Sequence, residues 1–224
     1  MQRLSSVPDQ EATGTAAEVM AAATKFLGRT ANLTRILAKH SPYTARWFVG
    51  FVSAVRQPNL GATTDVRVRN LATIKTSMAN ACAYCTAHTS IYGQALGVSD
   101  KEIAELQSDS YKTSPLFSER EKAAIAWAEA MTLNTAKLNN DIWRDMRRLF
   151  SDTEIVEISL NVGMFNMVNR LNDSFWTELE SEEYNRQQGN AVSGRTIEQL
   201  ENYAARFGAV RVAEQDAARK KVSA

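Results

Sequence analysis

Two cysteines and a histidine fall within seven residues, Cys82-Ala-Tyr-Cys85-Thr-Ala-His88, in a chain that holds no other thiol and only one more histidine, His40. Thiols act as nucleophiles, metal ligands and redox couples, and imidazole as a base or a ligand. Zinc would need four ligands, and three on one short turn would crowd one side of the ion. A passive pair of small buried hydrophobes is the blander alternative. Dithiol chemistry fits the spacing directly. Cysteines three apart share a helix face, close enough for a disulfide across one turn.

Asn80 or Ala81 is the expected entry to a helix that ends at Gly97. Cys82 to Cys85 then occupy its first turn, where free amides and the helix dipole favour a thiolate and depress its pKa. His88, three residues on, is placed to reach Cys85 directly or through one water, to take its proton and to return it to a leaving group. Cys85 is therefore the expected base-assisted thiol, and Cys82, at the helix mouth, the more exposed sulfur. Such a pair suits peroxide reduction through a sulfenic acid that closes to a disulfide, and equally suits exchange with a partner protein.

The elements that must position this cluster read as helices. Four prolines and ten glycines interrupt the chain, and no stretch alternates as strands do. Ser-x-x-Glu boxes at Ser99, Ser118 and Ser151 each open a segment with helical apolar spacing. Helices are expected at 10–27, 30–40, 42–57, 64–80, 83–96, 100–108, 118–133, 139–149 and 152–171. The last is apolar on most sides, which predicts burial all round. Residues 1–180 read as one helical domain and 181–224 as a linker with a C-terminal helical arm through Ile197, Leu200, Tyr203, Phe207 and Val210.

Charge is nearly balanced, with 26 Lys and Arg against 25 Asp and Glu, and no basic run is interleaved with aromatics, so nucleic acid is not an expected partner. Apolar runs are too short to span a bilayer, and the N-terminus lacks a signal-peptide core. A cytoplasmic protein is expected, and there a close cysteine pair is more often redox-active than structural. No phosphate-binding glycine loop appears, and neither a cofactor nor a metal is expected.

The cluster, preceded by Arg67-Val-Arg69-Asn70-Leu71, resembles the AhpD-like family, also called the carboxymuconolactone decarboxylase family. Phe117 to Glu129, Ser151 to Ile155 and Phe165 to Leu171 resemble the second half of its longer, peroxidase-related members, so the likeness covers about 60–175. It implies an all-α fold, a homo-oligomer, and alkylhydroperoxidase activity at Cys82, Cys85 and His88 on a small organic hydroperoxide, with a thiol-reducing partner protein. A lactone-acid lyase like the decarboxylase branch, needing cations more than thiols, and a non-catalytic binding protein of the same fold are the alternatives. Two positions depart from the pattern. Asn70 stands where redox members carry a glutamate, twelve residues before the first cysteine, and His88 lies three rather than four beyond the second. Asn cannot take up a proton, though it can hold a water or orient the histidine.

Overall fold

A computed structural model describes residues 1–207. Among these the chain is all-α: α1 (Gly14–Leu27), α2 (Asn32–His40), α3 (Pro42–Arg56), α4 (Val66–Ala79), α5 (Ala83–Ala95), α6 (Asp100–Leu106), α7 (Glu119–Thr132), α8 (Asn140–Leu149), α9 (Asp152–Phe175), α10 (Glu182–Arg186) and α11 (Ile197–Ala205). All three expected capping boxes form, with Glu102, Glu121 and Glu154 each reaching back to the serine amide. Local capping chemistry therefore starts α6, α7 and α9 at the residues it names.

The first three helices and α11 enclose one core around Val19, Ala23, Phe26, Val49 and Leu200. A second assembly surrounds α4, which packs against α5, α7 and α9. Val52 and Val55 of α3 meet Met164 and Phe165 of α9 and join the two.

The helix buried all round is α4, not α9: every side chain from Val68 to Ser77 is buried. Most of those ten are not hydrophobic, so apolar pattern could not reveal it. Most of their polar groups find partners inside the protein, as buried polar atoms generally do, and Asn70 Oδ1 is the exception. The Thr73, Thr76 and Ser77 hydroxyls donate to carbonyls within the helix. Lys75 donates to the Leu106 carbonyl at 3.1 Å and pairs with Glu129 at 2.9 Å. Arg69 reaches the carbonyls of Thr64, Val55 and Gln57 and so clamps the end of α3. By contrast α9 buries Ile155, Ile158, Val162 and Phe165 but leaves Val156, Leu160 and Met167 exposed.

Residues 180–194, expected as a linker, instead form α10 and a 3-10 turn, Gln187–Ala191, packed on α1 and α5. Asn185, Gln188 and Ala191 are buried there. The described part of the C-terminal stretch packs through α11 on α3; Val210 and the rest of the expected arm lie outside the described residues. This strap depends on Gly28. Its φ of +81° ends α1 in the left-handed region, and an added Cβ would stand 2.4 Å from the Gln187 carbonyl oxygen. Gly28→Ala should therefore destabilise the protein by at least about 2 kcal/mol, since left-handed strain and a backbone clash add. Urea unfolding checks this, and wild-type stability in the variant would show that the strap does not press on α1.

Candidate functional site

The turn between α4 and α5 places the thiols. Ala81 is left-handed at φ +56°, the Ala81 amide donates to Met78 and the Cys82 amide to Ser77 at 3.1 Å. This is a Schellman ending for α4 with alanine where glycine is usual, and it delivers Cys82 directly as the N-cap of α5. Cys82 Sγ accepts the Cys85 amide at 3.3 Å. Both thiols are free and buried. Cys82 has no exposed surface and Cys85 has 2%, which corrects the expectation that Cys82 is the accessible sulfur. Of the two, Cys85 lines a cavity.

A depressed Cys85 pKa was also expected from the helix start, and the structure reverses it. The adjacent Cys82 sulfur first, and burial second, keep the Cys85 proton on and raise its pKa well above the ordinary thiol value, against a smaller opposing bond from Asn172. Asn172 Nδ2 lies 3.5 Å from Cys85 Sγ. The helix-start amide that could stabilise a Cys85 anion points to Cys82 instead.

His88 lines the same cavity, but its ring is held from elsewhere. Arg29 Nη2 lies 2.9 Å from Nδ1, and Nε2 lies 2.7 Å from Glu180 Oε2. These partners assign the tautomer: Nε2–H donates to the carboxylate and Nδ1 accepts from the guanidinium. Protonated His88 would set a second N–H against Arg29. Burial above all, with the Arg29 charge added, lowers its pKa to about 4 despite the Glu180 bond. Burial alone would raise the Glu180 carboxyl, but hydrogen bonds from His88 and the Asn32 amide, with the Arg29 charge, hold it at about 2. Glu180 also accepts from the Tyr84 hydroxyl at 2.9 Å, and the Tyr84 and His88 rings lie 4.1 Å apart.

The two departures from the family pattern meet in space. Asn70 Nδ2 points to the carbonyl of Thr89 at 3.5 Å, and Thr89 occupies the position four beyond Cys85. A glutamate–histidine pair is thus replaced by two side chains that do not titrate. The titratable pair of this site is His88 and Glu180, one position back along α5 from Thr89.

The cavity measures about 70 Å³. Leu33, Phe48, Val52 and Val168 make its apolar wall, while Arg29, Arg56, Cys85, His88, Asn172 and Gln188 make the polar one. An open groove between α7 and α8 is larger, at about 570 Å³, but carries neither thiol nor imidazole. Arg56 ends α3 beside the cavity, stacked 4.1 Å from the Tyr92 ring, with Nη2 3.2 Å from Gln188 Oε1. Burial, offset partly by Tyr92, lowers its pKa to about 10, so it stays charged at neutral pH.

Residue spacing found Cys82, Cys85 and His88 and missed Arg29, Arg56, Tyr84, Glu180 and Gln188. Tyr84 sat inside the motif. The distant arginines and Glu180, 92 positions from His88, left no local signal. Arg170 is exposed and bonds to Asn166.

Residues 42–130 match the carboxymuconolactone decarboxylase family. The uncharacterised Escherichia coli K12 protein YnjA is 26% identical over 133 residues, 59% of this chain and 69% of YnjA. The Agrobacterium tumefaciens protein of unknown function ATU0492 is 26% identical with a TM-score of 0.58, covering 64% of this chain and 95% of that one. An AhpD-core, peroxidase-related protein from Ralstonia eutropha JMP134 superposes at TM-score 0.68 with 18% identity, over 83% of this chain and 96% of its own. The debrominase Bmp8 gives 0.67 with 20% identity, over 84% and 96%. At such identities the last two establish the fold alone.

Acid should act on this site twice in one direction. Unfolded chain protonates His88 near pH 6.5, whereas the folded protein resists until about 4. Stability is therefore fully present above pH 6.5 and declines as pH falls toward 4, by roughly 3 kcal/mol. Glu180, with its pKa held down to about 2, adds a further loss below about pH 4.5. Urea melts at pH 7, 5 and 4 test this, and His88→Gln should flatten the upper part of the decline. A wild-type profile flat from pH 7 to 4 would show that His88 is not held neutral.

Proposed function

Starting from an AhpD-like member of the carboxymuconolactone decarboxylase family, we propose that this chain is a thiol-dependent reductase of small organic hydroperoxides. The observation that carries the reading is the shared placement of the thiols. Cys85 faces a small, mostly apolar cavity, and Cys82 caps the same helix directly behind it. Substrate in the cavity meets Cys85 first.

Cys85 sulfur attacks the terminal peroxide oxygen, the O–O bond breaks, and the alkoxide leaves as an alcohol with the thiol proton. Cys85 sulfenic acid remains. The Cys82 thiol then condenses with it, giving the disulfide and water. Because Cys85 rests protonated, its proton is available to the leaving oxygen, although no imidazole is hydrogen-bonded to the sulfur among the described residues. His88 instead bridges Arg29, in the cavity wall, and Glu180 behind it. Reduction of the disulfide falls to a thiol-carrying partner, and with both sulfurs buried that partner needs the cavity mouth or a local opening of the strap. The exposed α9 face around Val156, Leu160 and Met167 suits a second copy of the chain.

A lyase acting on a small lactone acid is the second reading, favoured by the two arginines that line the cavity. It needs no thiol. Treating reduced protein with an organic hydroperoxide and mapping it by mass spectrometry separates the two. A Cys82–Cys85 disulfide should form, and Cys85→Ser should lower peroxide consumption by roughly 100-fold or more. Full consumption by the Cys85→Ser protein would sink the reading. Lyase turnover surviving in a Cys82→Ser, Cys85→Ser double variant would favour the alternative.

A further inference from the structure

We propose that the cavity beside Cys85 binds a small monoanionic group of carboxylate size, with the Arg56 guanidinium as its counter-ion. Four buried arginines allow the comparison. Arg46 pairs with Glu18 at 3.4 Å and bonds to Thr15. Three backbone carbonyls take Arg69, and Arg29 has Glu180. Arg56 has none of these. Its hydrogen bond goes to the neutral Gln188 Oε1, and no carboxylate pairs with it among the described residues; its Nε is buried without a partner, as are Arg29 Nε and Arg46 Nη1. The rings of Tyr92, at 4.1 Å, and Phe165, at 5.5 Å, lie beside it.

Charges around the cavity do not cancel. Arg29 and Arg56 are positive, Glu180 is negative and His88 is neutral, which leaves one positive charge. Glu180 is not free to neutralise Arg56, because Tyr84, His88 and the Asn32 amide already bind its oxygens beside Arg29. An isolated buried cation is costly, and a cavity at its side lets a ligand supply the missing anion. The planar guanidinium fork matches two carboxylate oxygens.

Size and wall set the rest of the ligand. At about 70 Å³ the cavity is roughly half of one that holds benzene, so it takes the carboxylate and the carbon next to it, and the rest of the ligand extends through its open side. Leu33, Phe48, Val52 and Val168 suit a short hydrocarbon portion. On the thiol-reductase reading, which this substrate class deepens, the hydroperoxide bears a carboxylate that Arg56 binds while the O–O group faces Cys85. Arg56 is thereby a specificity residue.

Binding tests this without any turnover. Reduced full-length protein is titrated with butanoate and with butanamide, in low-chloride buffer, by calorimetry and thermal melting. Butanoate should bind saturably and raise the melting temperature, with butanamide at least about tenfold weaker. Arg56→Met should lose the preference for butanoate and, without ligand, melt no lower than wild type because an unpaired buried charge is gone. Arg56→Gln, uncharged but able to hydrogen-bond, is the second variant should the first not fold, and should lose the same preference. Equal affinity of wild type for acid and amide overturns the proposal, as does wild-type butanoate affinity in either variant. A protein that fails to reduce hydroperoxides yet selects butanoate loses the redox reading and keeps this subsite.

Discussion

A guanidinium buried in an apolar interior needs an anion or a set of carbonyl acceptors, and the Arg29–Glu180 pair, bridged by His88, is the contact on which the site depends. Arg29 follows α1, Glu180 follows α9, and His88 lies in the middle of α5. Three distant parts of the chain are joined by one carboxylate. That carboxylate also accepts the first amide of α2, where the helix dipole favours negative charge. Removing any partner would leave a charge or donor stranded in a small dry volume, so the assembly is held as a unit. The strap from Glu180 to Ala191 is drawn onto α5 for the same reason, and Gln188 follows it to both the His88 carbonyl and Arg56.

This pairing divides the site between two origins. The thiols, His88 and Arg56 lie in the segment that matches the family, residues 42–130, whereas Arg29 and Glu180 come from outside it. Within the segment, the Schellman turn and the N-cap make the position of the sulfurs a property of local backbone. Around it, the flanking helices decide the electrostatics. They keep the imidazole neutral, and they leave Arg56 as the charge without a counterpart. Asn70 and Thr89 fit this division. With no titratable pair in the family position, the ionisable groups at α5 are His88 and the flanking residues that reach it.

Much of the architecture was legible in advance. Helix ends followed from serine caps and Gly97, since these act within a turn of where they stand. Burial was legible less often. Ten apolar residues marked α9 as the central helix, yet three of them face outward, while α4, rich in threonine, lysine and arginine, occupies the centre. Hydrophobic pattern reports what a helix could bury. It is silent on polar side chains that a carbonyl or a carboxylate waits to receive.

The sequence by itself determined an all-helical chain, the start and stop of its main helices, and a pair of thiols with a histidine on one helix. Each rests on interactions between residues a few positions apart. Only the tertiary structure decided which sulfur meets the cavity, that His88 is neutral, and that Arg56 stands uncompensated. Those outcomes turn on burial and on charges brought together from residues 29, 56, 88 and 180, and electrostatic energy depends on distance in space, not along the chain.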